Sequence, residues 1–186
     1  MSVQAARAAT REWKQLLLFW KPFVFWSSSS VKKKKDSSVA WADTRTGQRR
    51  LALQVLYSLE FGAATSADSL RRTMRSFLPE DMTSSDFAWE LVEGVFQQVA
   101  ELDKVIGAYS KGWKMERIAK TELSILRLSL FEMLYVADMP LKAAINEGVE
   151  LAKHFGDEHS SVYVNGILDA VAKDVAGGKF PTVCKA

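Results

Sequence analysis

A chain of 186 residues, 48% hydrophobic and 25% charged, has the length for one domain with a sizeable core and the composition of an ordinary soluble globular protein. Ten glycines and four prolines, with no clear alternating apolar pattern, argue against a β-sandwich and for an all-α fold. The single cysteine, Cys184, can form no internal disulfide, and with only two histidines beside it no structural zinc site of the usual kind can be built, which fits a reducing cytoplasm.

The net charge of +3 hides an asymmetry: eleven basic against three acidic residues through Arg50, then fourteen against nineteen, so +8 precedes −5. A basic end on an acidic body suits a polyanion at one place and a basic protein at another, although most single charges serve only to solvate the surface.

Residues 1–44 stand apart. The apolar runs LLLFW and FVFW flank Lys21 and Pro22 and are too short and too broken for a bilayer span of about 20 residues. The serine run 27–30 and the lysine run 32–35 resist packing into a core. As a transit or secretory leader the segment has few arginines and no clear cleavage site, so it reads as a disordered or loosely structured extension, either a misassigned start or a lineage-specific addition.

Regular patterning begins after Thr44. Leu51, Ala52, Val55, Leu56 and Leu59 form a helical stripe that Gly62 can stop, and a second helix is expected over 66–77, with Pro79 beyond it. Val92, Val95, Val99, Leu102 and Ile106 form the seam of a longer third helix. The WKMERIA segment, 113–119, predicts a short helix. In the next helix Leu123, Leu126, Leu130 and Leu134, widened by Ile125, Phe131 and Met133, predict burial over much of the circumference. Arg127 and Glu132 within it are expected to satisfy each other or other buried groups.

Pro140 suits a first helical turn, and Leu141, Ala144, Ile145, Gly148, Ala152 and Phe155 follow at helical spacing until Gly156 ends the run. After a polar elbow of Asp157, Glu158 and His159, the pair Ser160 and Ser161 can cap a last helix that buries Val164, Ile167, Leu168 and Val171. Residues 177–186 form a tail. The total is a compact bundle of about seven helices.

Arg45, Gln48, Arg49 and Arg50 lie at the entrance of the first helix, where free backbone donors and the helix dipole favour phosphate and guanidinium groups add bidentate contacts. Tyr163, at another helix entrance, either stacks on an unpaired base or closes the elbow as a core aromatic. The Ser160 hydroxyl is first a cap, with phosphate as a second use. Tyr57 either packs in the core or exposes its hydroxyl beside the arginines. Asn146 and Glu147 have no nucleophile or metal cluster near them in sequence and read as structural hydrogen-bonding groups. No P-loop, dinucleotide fingerprint, metalloprotease motif or nucleophile elbow is present, so no enzyme and no cofactor are expected.

The wording AINEGVELAKHFG followed by YVNGILDAV resembles the C-terminal signature of the NusB family of bacterial transcription antitermination factors. RLALQVLYSLE (50–60), SILRLSLFEMLY (124–135) and the DMP turn (138–140) agree, and the likeness spans roughly 45–176. It implies a helical RNA-binding domain without enzymatic activity that pairs with the small-subunit ribosomal protein NusE, holds boxA of nascent RNA near RNA polymerase and has no membrane association. It also implies an arginine-rich RNA-contacting segment, here with Thr46 where another arginine is common and Arg50 where an acidic residue often stands, so that affinity is either weaker or draws on the lysines at 32–35. His159 occupies a place where the family has an acidic residue, which removes one repulsion from RNA. Glu122 matches an acidic position on the side that receives the ribosomal protein, although an acid there also stabilises its own helix. Asn165 and Gly166 fall inside the last helix, where they are expected to satisfy a buried polar partner and to allow close helix approach. A rival with enzyme character, the NusB-like domain of some ribosomal RNA cytosine methyltransferases, needs a further catalytic domain for which a chain ending about ten residues past its last predicted helix leaves no room. A purely protein-binding helical adaptor is the remaining alternative.

Overall fold

Thr44 opens the first helix: its extended backbone lets Oγ1 accept the Gly47 N–H at 3.0 Å, the N-cap arrangement that satisfies an otherwise orphaned donor. From there the computed structural model describes residues 44–62, 66–78, 86–110 and 115–180. The extension through residue 43, including the lysine run, and Cys184 lie outside the described residues.

Six α-helices follow in order: α1 Arg45–Leu59, α2 Ala67–Phe77, α3 Asp86–Tyr109, α4 Lys120–Tyr135, α5 Leu141–Phe155 and α6 Ser160–Ala176. A 3-10 turn, Met115–Arg117, stands where the WKMERIA segment predicts a short helix. The fold is all-α, with six helices and this turn among the described residues in place of seven full helices. Gly62, at φ +86, takes the left-handed conformation after α1, and Asp138, at φ 59, makes the bend before Pro140.

Helix α4 is the centre of the bundle and packs against α1, α3, α5 and α6. Leu126, Leu128, Leu130 and Ile125 are fully buried, each contributing roughly 1.5–3 kcal/mol through removal of apolar surface from water. The wide apolar circumference in the sequence has this cause. Arg127 and Glu132 do not pair with each other. Arg127 binds Asp103 of α3 through two bonds of 2.7 and 2.8 Å and also reaches Glu60, whereas Glu132 is taken by Arg49 of α1.

Cross-links fix the directions. Arg49 to Glu132 and Lys120 Nζ to the Glu60 carbonyl make α1 and α4 antiparallel. Thr46 to Glu147 and Arg50 to His154 make α1 and α5 parallel. The C-terminal ends of α1 and α5 therefore lie with the N-terminal ends of α4 and α6 at one end of the bundle.

Close helix approach is allowed at Gly94 and Gly148, not at Gly166. A Cβ at Gly148 would come within 2.5 Å of Ser129 Oγ and 2.8 Å of Leu168 Cδ1, while a Cβ at Gly166 would meet nothing within 4 Å. Asn165 and Gly166 are both exposed, which corrects the expectation of a buried polar partner and a tight contact. After α6, Phe180 packs near Tyr109 at 6.3 Å between ring centroids, so the chain stays against the bundle for at least four residues past α6.

Candidate nucleic-acid interface

At the entrance of α1 the arginines separate by depth. Arg45 is exposed and its guanidinium lies 3.9 Å from the centre of the Phe87 ring, a cation–π contact that holds the side chain at the surface. Arg49, one turn on, is only 7% exposed. Its Nε donates to both Glu132 oxygens at 2.9 and 3.0 Å, its Nη2 stands 2.8 Å from Glu132 Oε1, and Nη1 lies 3.7 Å from Glu147. Burial pushes the Glu132 carboxyl above the ordinary carboxylate range against the downward pull of Arg49. Removing Arg49 would strand that carboxylate, so this guanidinium is held in the core as a link between helices. Thr46 donates to Glu147 at 3.3 Å, which joins the entrance of α1 to α5 and bears out the structural reading of Glu147. Asn146 is exposed. Gln48 is half-buried, and its Oε1 is buried with no partner among the described residues.

Arg50 points along the seam between α1 and α5 and reaches His154 Nε2 at 3.4 Å. His154 Nδ1 lies 2.9 Å from the Glu150 carbonyl, which can only accept. The proton therefore sits on Nδ1, and the lone pair of Nε2 faces the guanidinium. Two turns further, Tyr57 is half-buried with its ring edge-on to Phe61 at 5.2 Å, and Lys120 places its ammonium 4.5 Å from the Phe61 ring.

The elbow is built around an acid. Asp157 Oδ1 accepts the backbone N–H groups of His159 and Ser160, each at 2.9 Å, so the cap of α6 is Asp157 and not the serine pair. These bonds, with the Ser160 hydroxyl first among them, hold the Asp157 carboxyl below the ordinary carboxylate range. Ser160 is 2% exposed, and its hydroxyl also lies 2.8 Å from Glu122 Oε1. Gly156 ends α5 because Ser160 packs against it: a Cβ there would come within 2.4 Å of Ser160 Cβ. His159 is exposed beside Glu158 at 3.1 Å. Tyr163 is half-buried against the core, with its hydroxyl 3.3 Å from Ser110 Oγ at the end of α3. Val162, next to it, is 73% exposed.

The expected residues thus fall into two groups. Arg45, Gln48 and the buried Arg49 stand at one end of α1. Tyr57, Glu122, His159, Ser160 and Tyr163 gather at the other, about 18 Å away along twelve residues of helix, with Arg50 between them. Sequence reading missed the capping role of Asp157, the partners of Glu147, and His154. The first had a signal, an acid three residues before a helical serine, but the cross-helix partners of the other two have none in local spacing. Among the described residues no cluster of His, Cys, Asp or Glu is arranged to hold a metal ion, and no helix is long and apolar enough to cross a membrane.

The sequence profile described as the NusB family matches residues 46–173. The chain is 44% identical over 146 residues to the transcription antitermination protein NusB of Nitratidesulfovibrio vulgaris, covering 73% of this chain and 92% of that protein. Against the protein of the same name from Myxococcus xanthus it is 44% identical over 131 residues, covering 69% and 93%. Among solved structures, T. maritima NusB aligns with a TM-score of 0.64 at 29% identity, over 70% of this chain and 92% of that one. A crystal structure of the antitermination factors NusB and NusE in complex with dsRNA shares the fold, with a TM-score of 0.59 at 23% identity over 69% and 96%. This chain belongs to the NusB family.

Proposed function

We propose that the protein is a non-enzymatic transcription antitermination factor of the cytoplasm that binds boxA of nascent RNA together with the ribosomal protein NusE, at the RNA polymerase antitermination complex. The observation that carries this reading is the 44% identity across 92% of a protein named for transcription antitermination. Arg45 and Arg50 supply the phosphate contacts of α1. His159 and the half-buried Tyr163 supply the elbow side, where an aromatic ring can stack on an unpaired base. Tyr57 stands on the elbow side, at the far end of α1 from Arg45. Glu122 faces the protein partner, whose basic side chains it would pair. Arg49 and Ser160 take no direct part and hold the two groups in place.

Because phosphate contacts dominate, affinity falls as salt rises, while discrimination between RNAs comes from stacked and hydrogen-bonded bases. Fluorescence anisotropy with a boxA RNA and a scrambled control, with and without NusE, across a salt series, tests the reading. The expected result is preference for boxA that sharpens when NusE is present. Equal binding of both RNAs in its presence would overturn specific recognition.

A further inference from the structure

The Ser160 hydroxyl stands between two carboxylates. It lies 2.8 Å from Glu122 Oε1 and 2.9 Å from Asp157 Oδ1, while accepting the Asp157 N–H at 2.9 Å. A serine hydroxyl has one proton to give, so the two acids compete for it. Asp157 Oδ1 already receives two backbone N–H groups and caps α6 without that proton. Glu122 is half-buried, and Ser160 is the donor the described residues place on it.

The heavy atoms of this joint cannot move far. Ser160 is 2% exposed and wedged against Gly156, where even an added Cβ would lie 2.6 Å from its Oγ. Its proton, by contrast, is free to turn. We propose that Ser160 is a positioning residue that links Glu122 to the elbow: when Glu122 is engaged from outside, the Ser160 O–H turns from Glu122 to donate to Asp157 and tightens the entrance of α6. A buried group with two discrete arrangements, each favoured from a different surface, is the physical requirement for coupling between sites.

The consequence for binding rests on the reading of Glu122 as the partner contact and the α6 entrance as an RNA contact. Under that reading NusE at Glu122 improves RNA binding at the elbow, and RNA at the elbow improves NusE binding by the same factor. The linkage itself does not depend on either ligand.

Amide hydrogen exchange on the full chain tests the linkage alone. Glu122→Ala removes one claimant on the proton, so protection of the Asp157, His159 and Ser160 amides should rise by about fivefold, the factor one net hydrogen bond carries. In a Ser160→Ala background the same substitution should change nothing. If Ser160→Ala does not fold, Ser160→Cys keeps a side-chain atom in place with a weak donor and should lose most of the effect. Unchanged protection in Glu122→Ala, or an equal change with and without the hydroxyl, would overturn the proposal. If the linkage is seen and the wild-type chain binds no boxA RNA in the anisotropy assay, the linkage stands and the functional reading falls.

Discussion

At the entrance of α1 a cation turns inward, whereas at the entrance of α6 an anion caps the helix from outside. Arg49 is drawn into the core by Glu132 of α4 and Glu147 of α5, leaving Arg45 and Arg50 to present positive charge. Asp157 is exposed and holds its helix by accepting backbone N–H groups, with the buried Ser160 behind it. Charge at a helix start thus has two uses: one links helices and is costly to break, the other sets a local backbone shape and is open to adjustment.

The largest effect expected from breaking this contrast is at Arg49. Arg49→Ala should destabilise the protein by about 3–5 kcal/mol, because Glu132 stays buried without its partner. The sign of the pH dependence follows from Glu132. Its folded pKa is already raised and rises further without Arg49, so the folded state then binds the proton more readily than the unfolded chain, and stability falls as pH rises through that window. Urea midpoints should therefore show a greater loss at pH 7 than at pH 5.

The next effect is at Gly148. Gly148→Ala should cost about 1–3 kcal/mol, since Ser129 and Leu168 leave no room for a methyl group. Arg45→Ala should lose only about 0.5–1 kcal/mol of stability with its contact to Phe87, seen in thermal unfolding, and should weaken RNA binding in proportion to one phosphate contact. Gly166→Ala should be neutral or stabilise by up to about 1 kcal/mol, because alanine favours the helix and the added Cβ meets nothing. A Gly166→Ala protein that melts earlier would show that the outward face of α6 is misplaced. The smallest effect is acidic fraying of the elbow. The depressed folded pKa of Asp157 means its contribution is present above the unfolded value and lost as pH falls through the folded one, so exchange at the His159 and Ser160 amides should quicken only at acid pH.

Much of the fold was legible because apolar periodicity reports depth. The stripe of α4 marked the central helix, and Gly62 and Gly156 marked real ends. The same periodicity carried more than was drawn from it. Arg49 lies three and seven residues before Ala52 and Leu56, so the core face of α1 already included it. Asn165 and Gly166 lie between the buried positions Val164 and Ile167, which places them outward despite their family wording. The rest was not local. Glu147 and His154 acquire partners about one hundred residues away through the parallel register of α1 and α5, and no spacing within either helix encodes that register.

The division of labour among the arginines is tested most directly by the salt dependence of boxA RNA binding with NusE present. Three proteins suffice: wild type, Arg45→Ala, and a paired Arg49→Met, Glu132→Leu variant that replaces the buried ion pair by apolar packing. Arg45→Ala should lower the slope of log affinity against log salt by about 0.7, the share of one single-strand phosphate, and the paired variant should keep the wild-type slope. A slope that falls in the paired variant and holds in Arg45→Ala would contradict that division of labour.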